Sequence, residues 1–226
     1  MEERQQKLLN LLVENHIKSA EPIGSKFLVE KCGLDYGEAT VRNELRDLEE
    51  SGYLTHPHTS AGRVPTEEGY RVYVKSLDLN KGKITAKENE FFGMSVEKSV
   101  EPEIRLKNMA KAAAEISKET AILAFSPEKV YYTGLSNLFA KPEFAEMNMV
   151  ASVSQVFDHC EDCLVKFYDE INDEPQFFIG HDHGFGHMLS VLAFKFDNNS
   201  MFALLGPMRM NYSRNWVLIK RAKELI

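Results

Sequence analysis

The N-terminal part of the chain carries two apolar stripes of helical period, cut apart by prolines and glycines that helices do not pass through easily, and that punctuation admits few folds. Leu8, Leu9, Leu12, Val13 and His16 recur at three- and four-residue spacing, which predicts a helix from about Glu3 to Ile17. "SAEPIGS" ends it. Pro22 and Gly24 shape the loop, and Ser25 stands where it would cap a short second helix, "KFLVEKC", closed by Gly33. "GLDYGEAT" makes a tight turn. A third helix is expected from about Glu38 to Ser51, with Gly52 just past its end and Val41, Leu45 and Leu48 in one narrow sector. Two helices joined by a short Gly-containing turn, the second the longer, form a helix-turn-helix pattern.

Ala39, Arg42, Asn43 and Arg46 point away from that stripe and gather toward the N-terminal half of the third helix, while Asp47, Glu49 and Glu50 sit toward its C-terminal half. "YLTHPHTSAGRVPT" then reads as a short strand, a loop with Pro57, Ser60 and Gly62, and a return strand stopped by Pro65. A hairpin in this place is a wing, and it exposes His56, His58, Thr59, Ser60 and Arg63. Thr66 caps a fourth helix, "TEEGYRVYVKSL", with Glu67 and Glu68 favoured by the helix dipole and Tyr70, Tyr73, Val74 and Leu77 turned to the core.

Such a unit suits double-stranded DNA. Arginine pairs bidentately with guanine and asparagine with adenine in the major groove, so Arg42, Asn43 and Arg46 are expected at base edges and phosphates. Ser25, Lys26 and Thr40 are placed to hold phosphates near helix N-termini. His58, Thr59 and Arg63 suit phosphate oxygens or a minor groove. On an arbitrary helix the same cations would be a solvated face, and simple capping explains Ser25 and Thr40 equally well.

The charge argues against this at first. The formal net charge is -7, and residues 1–77 hold ten Lys and Arg against thirteen Asp and Glu, whereas a DNA binder usually carries a basic footprint. Net charge governs solubility and steering, not what one face can do, so the placement of the few cations decides. No apolar run of roughly 18 residues is present to span a bilayer, and the N-terminus lacks the basic start and apolar centre of a signal peptide. With only Cys32, Cys160 and Cys163, a disulfide framework is not expected. The expectation is a cytoplasmic chain with free thiols and no membrane partner.

The polar, Gly-containing "DLNKGKIT", residues 78–85, reads as a linker between a winged-helix domain over 1–77 and a second domain over 86–226. In the second domain a helix is expected from about Glu103 to Lys118, with Ile104, Met109, Ala112, Ala113 and Ile116 on its apolar face. "TAILAF" and "KVYYTG" follow as strands, a broken helical stretch covers Leu138 to Tyr168, and "PQFFIG", "SVLAFKF" and "MFALLG" read as three further strands. A helix from about Tyr212 to Leu225 closes the chain. The fold class is α+β, a winged helix-turn-helix followed by a mixed domain.

"EPIGSKFLVEKCGLDYGEATVRNELRDLEESGYLTHPHTSAGRVPTEEGYRVYV", from Glu21 to Val74, strongly resembles the DNA-binding domain of the HrcA family of heat-inducible transcription repressors. The second half is similar to that family less tightly, through "GLSNLFAKPEFAEM" from Gly134 and "LLGPMRMNYSR" from Leu204. Family members are typically longer; the shortfall falls near Phe125 to Tyr132, and "IGHDHGFG" from Ile179 departs from the family pattern. The resemblance implies a homodimer that binds an inverted-repeat operator, the CIRCE element, ahead of chaperone operons, with the chaperonin as modulator. It also implies a GAF-like second domain with no known catalytic role, serving dimerisation and regulation.

Cys160 and Cys163 in "HCEDC", with His181, His183 and His187 beyond, have the residue types of a zinc site. Both cysteines also lie on an amphipathic stretch and are explained by packing. Arg209 and Tyr212 suit an anion, an interface or a stabilised turn. No phosphate-binding loop, nucleophile elbow or His-Glu-x-x-His pair is present, so no catalytic residue, metal or cofactor is expected. The competing reading is a winged-helix regulator whose C-terminal domain senses a small molecule or a metal.

Overall fold

The computed structural model describes residues 1–57, 61–97, 101–145, 147–197 and 199–226; His58, Thr59 and Ser60 of the expected wing lie outside them. The chain divides into two compact units, Met1–Leu77 and Asp78–Ile226. The segment 78–85, expected as a linker, falls in the second unit, where a 3-10 turn at Leu79–Lys81 packs against the last helix.

In the first unit α1 (Glu3–Ser19), α2 (Ser25–Cys32) and α3 (Glu38–Glu50) enclose a core of Leu8, Leu9, Leu12, Val13, Leu28, Val41, Leu45 and Leu48, all at most 1% exposed. Leu28 comes from α2, and those of α1 and α3 are the residues of the two periodic stripes, apart from His16. That ring is half-buried, and its Nδ1–H donates to the Glu21 carbonyl at 2.9 Å, so it fastens the end of α1 instead of filling the core. Gly33 and Gly52, at φ 61° and 82°, supply the left-handed backbone after α2 and α3.

β1 (Leu54–Thr55) and β2 (Val64–Pro65) pair antiparallel, with Leu54 opposite Pro65. The loop between α1 and α2 adds a third edge: Ile23 and Arg63 exchange two backbone hydrogen bonds of 2.9 Å each. That approach leaves no room for a side chain at Gly62, whose Cβ would lie 2.6 Å from the Ile23 carbonyl carbon. α4 (Glu67–Ser76) begins as expected, the Thr66 Oγ1 accepting from the Gly69 amide at 3.1 Å, and its Tyr70 and Tyr73 are buried.

The second unit is a three-layer sandwich. Its five-stranded antiparallel sheet has the order β4-β3-β7-β6-β5, with β3 Thr120–Ser126, β4 Lys129–Thr133, β5 Gln176–Ile179, β6 Leu189–Lys195 and β7 Met201–Pro207. β3 sends Ala121 and Leu123 to one face and Ile122 and Ala124 to the other; β6 and β7 alternate in the same way. The first face packs on α5 (Ala86–Glu97), α6 (Pro102–Ser117) and α10 (Tyr212–Leu225). The second packs on α7 (Leu135–Phe139), α8 (Met147–Asp158) and α9 (Cys160–Tyr168). With both faces covered, the strands read as unbroken apolar runs.

Two expectations change here. α5 was not foreseen from its pattern, and Ile104, assigned to the apolar face of α6, is 43% exposed because it lies in the first turn, away from Met109, Ala113 and Ile116.

Candidate nucleic-acid interface

α3 buries Val41, Leu45 and Leu48 and leaves Ala39, Thr40, Arg42, Asn43, Arg46 and Asp47 exposed on its opposite face. Glu44 is the exception among its charged residues: 6% exposed, it accepts from the Arg4 guanidinium of α1, which also lies 5.8 Å from the Tyr36 ring centroid. A buried carboxylate without a cation would be costly, so Arg4 locks α3 against α1 and fixes which face looks outward. Periodicity alone places Glu44 beside the apolar sector but does not identify Arg4 as its partner.

The helix starts differ from expectation at Ser25. Gly24 is the N-cap of α2, with no side-chain cap, and Ser25 is the first helical residue, 9% exposed, its hydroxyl donating to Glu38 Oε1 at 3.3 Å. Ser25 therefore joins α2 to the first turn of α3, and burial by the α3 start keeps its side chain from the surface. α3 likewise starts after Gly37 without a side-chain cap. First-turn amides of α2 and α3 that no side chain caps are the groups an anion meets at a helix N-terminus. Lys26 and Thr40 stand exposed beside them.

Carboxylates attend the expected cations. Arg42 donates to Glu38 one turn back, Arg46 Nε lies 3.7 Å from Glu50, and Lys26 Nζ 3.8 Å from Glu30. These are exposed pairs along single helices, each worth roughly 0–1 kcal/mol, and a phosphate displaces such a carboxylate at little cost. The wing is tied more firmly. Glu49, in the last turn of α3, accepts from Arg63 Nε at 3.0 Å through one oxygen and from the His56 ring Nδ1 through the other. Burial raises the Glu49 carboxyl, but the hydrogen bond from His56 and the charge of Arg63 outweigh it and hold the group below its ordinary value. Arg63, expected as an open wing contact, is 20% exposed. His58 and Thr59 lie outside the described residues. The local hint to this tie was slight: α3 ends in acids and has no basic residue in its last turn, an arrangement the helix dipole disfavours unless other elements bring cations.

In the second unit the two segments that resembled one family meet. Arg209 donates Nη2 to Glu143 Oε2 at 2.9 Å and Nε to its other oxygen, and Lys141 donates to Glu119 Oε1 at 3.3 Å. Tyr212 donates its hydroxyl to the Met208 carbonyl, which closes the turn before α10. The Cys and His set is only partly gathered, with the His181 and His187 rings stacked at 5.7 Å between centroids. Cys160 is buried, its thiol pushed up to about 12 by burial, while Cys163 donates to the Gly184 carbonyl at 3.3 Å. His183 is buried, donating Nε2–H to the Leu189 carbonyl at 3.0 Å and accepting from the Phe185 amide at 3.2 Å. Among the described residues no three His, Cys, Asp or Glu side chains gather in a way that would hold a metal ion. Among them, too, no helix is long and apolar enough to cross a membrane.

Comparison with known proteins divides along the same units. Residues 8–72 match the family model described as the ribonuclease R winged-helix domain, and residues 85–215 match the one described as the HrcA protein C terminal domain. The chain is 38% identical to the heat-inducible transcription repressor HrcA of Acetivibrio thermocellus over 134 residues, covering 57% of this chain and 36% of that protein. It is 53% identical to the Brevibacillus brevis repressor of the same name over 77 residues, covering 34% of this chain and 23% of that protein. With the Frankia casuarinae repressor it shares 32% identity over 177 residues, 77% of this chain and 51% of that protein. The matches thus span about a quarter to a half of these relatives' length. A crystal structure of a hypothetical protein superposes with a TM-score of 0.79 at 18% identity, covering 99% of this chain and 97% of that one, which shows a shared fold. With an N-terminal winged helix and a second unit matched over more than half of the whole chain, this protein belongs to the HrcA family.

Proposed function

We propose that the chain is a sequence-specific, DNA-binding transcriptional repressor of heat-shock and chaperone operons, binding a CIRCE-type inverted repeat as a homodimer, with the chaperonin as modulator. The observation that carries this reading is the outward face of α3: Ala39, Arg42, Asn43 and Arg46 exposed together, with uncapped helix starts alongside. In this reading residues 1–77 read DNA and 86–226 serve dimerisation and regulation. Arg42, Asn43 and Arg46 face base edges, while Lys26, Thr40, His58, Thr59 and Arg63 meet phosphates or a minor groove. Ser25 contributes through its backbone amide. Dimer symmetry would place two α3 helices about 34 Å apart, or a multiple of that, along the duplex.

Arg42→Ala should weaken binding to the operator by about 1–3 kcal/mol, roughly 5- to 150-fold, with the fold intact. A mobility-shift titration against an inverted-repeat duplex and a scrambled one measures it, and unchanged operator affinity would sink the assignment. A second reading, a ligand-sensing regulator, draws on a cleft of about 390 Å³ in the second unit, lined by Lys87, Glu88, Phe91, Glu115, Lys118 and Arg214 among others, with Arg214 paired to Glu88. Thermal-shift screening of small organic molecules tests that reading, with a saturable rise in melting temperature as the supporting result.

A further inference from the structure

Arg63 is held at both ends. Its backbone pairs twice with Ile23, and its guanidinium meets Glu49 across the gap from wing to α3. Glu49 also accepts from the His56 ring, the other wing donor, on its second oxygen. The pairs of Arg42, Arg46 and Lys26 differ in kind: each runs along a single helix and is largely exposed. Glu49 is 21% exposed and spans two elements. A phosphate approaching the wing must therefore compete with a carboxylate already satisfied by both donors, and that competition applies to any duplex, whatever its sequence.

We propose that Glu49 is a specificity-determining residue of the DNA reader, an internal competitor that withholds Arg63 and His56 from phosphates of arbitrary DNA. This rests on the DNA-binding reading above. On a matched duplex, contacts from Arg42, Asn43 and Arg46 anchor α3 whether or not Arg63 and His56 change partner. On an unmatched duplex Arg63 and His56 are the larger share of what remains, so Glu49 lowers that affinity more. In a chain of net charge -7, suppressing non-specific binding this way keeps the few cations for the site they fit.

The test uses the full chain and two duplexes: one recovered from random DNA by selection with the wild type, and a scrambled duplex of the same composition. Glu49→Gln should raise affinity for the scrambled duplex by about two- to fivefold, the range of one or two released surface pairs. It should also steepen the salt dependence on that duplex by about one phosphate contact, a log-log slope change of roughly 0.9. The selected duplex should gain less, so that the ratio of affinities falls. In an Arg63→Gln background the same substitution should lose most of its effect. An unchanged ratio and slope overturns the proposal. So does weaker binding to both duplexes, the mark of a wing that has lost its seat, or a gain that persists in full without Arg63, the mark of bulk charge. If the wild type enriches no duplex from the random pool, the DNA-binding reading falls and takes this proposal with it.

Discussion

Replacing Glu119 by glutamine should make the second unit more stable in mild alkali and leave it nearly unchanged in mild acid. Glu119 sits between the end of α6 and the start of β3, with its side chain 3% exposed. Its Oε2 lies against the bare Cα of Gly206, where a Cβ would approach it to 2.3 Å. Lys141 Nζ stands 3.2 Å from that oxygen. Burial pushes the Glu119 carboxyl up to about 7 from an ordinary 4.5, with the charges of Lys141 and then Arg209 opposing the rise. A carboxyl raised on folding favours the protonated native state. Its contribution is fully present below about pH 4.5 and is lost as the pH climbs through about 7. That gap corresponds to about 3 kcal/mol of stability absent at pH 8. Glutamine carries no charge to desolvate, so Glu119→Gln should exceed the wild type by up to about 3 kcal/mol at pH 8, and by under about 1 kcal/mol at pH 5. In a unit of this size that is roughly 6–12 °C in melting temperature at the higher pH. Trp216, the single tryptophan, lies on α10 and reports this unit by fluorescence during thermal unfolding. A difference between the two proteins that stays constant from pH 5 to 8, or a variant less stable than the wild type at pH 8, refutes the reasoning.

Gly69→Ala should destabilise the first unit by about 1–3 kcal/mol or more, because the added Cβ would lie 2.1 Å from the Tyr53 backbone oxygen; faster hydrogen exchange across residues 52–57 and 64–76 would show α4 parting from β1. Thr66→Ala should cost about 1 kcal/mol, since it removes both the cap to the Gly69 amide and the 2.6 Å bond to the Gly52 carbonyl, while Thr66→Ser keeps both; urea unfolding followed by circular dichroism compares them.

The sequence by itself determined what depends on near neighbours. The stripes of α1 and α3, His16 apart, the glycines after α2 and α3, the Thr66 cap and the bounds of α10 follow from spacing and local backbone preference, and are found where the pattern places them. The exposed face of Arg42, Asn43 and Arg46 follows in the same way, as the complement of Val41, Leu45 and Leu48. α5 was not legible, because the apolar residues of "AKENEFFGMSVE" do not share one face: Phe92 and Val96 are buried, Phe91 and Met94 are exposed, and Gly93 lies among them. Its packing against α6 makes it a helix, not its own propensity.

Tertiary structure alone decided which charges meet across elements. Arg4 reaches Glu44 across forty positions, Arg63 and His56 converge on Glu49, and Arg209 finds Glu143 sixty-six positions away. It also turned Ser25 inward to Glu38 and Ile104 outward to solvent. Periodicity reports only which face of an element is apolar. The partner of a buried charge is set by the elements that close over it, where the loss of water makes a pairing necessary and the fold determines which opposite charge is near enough to supply it.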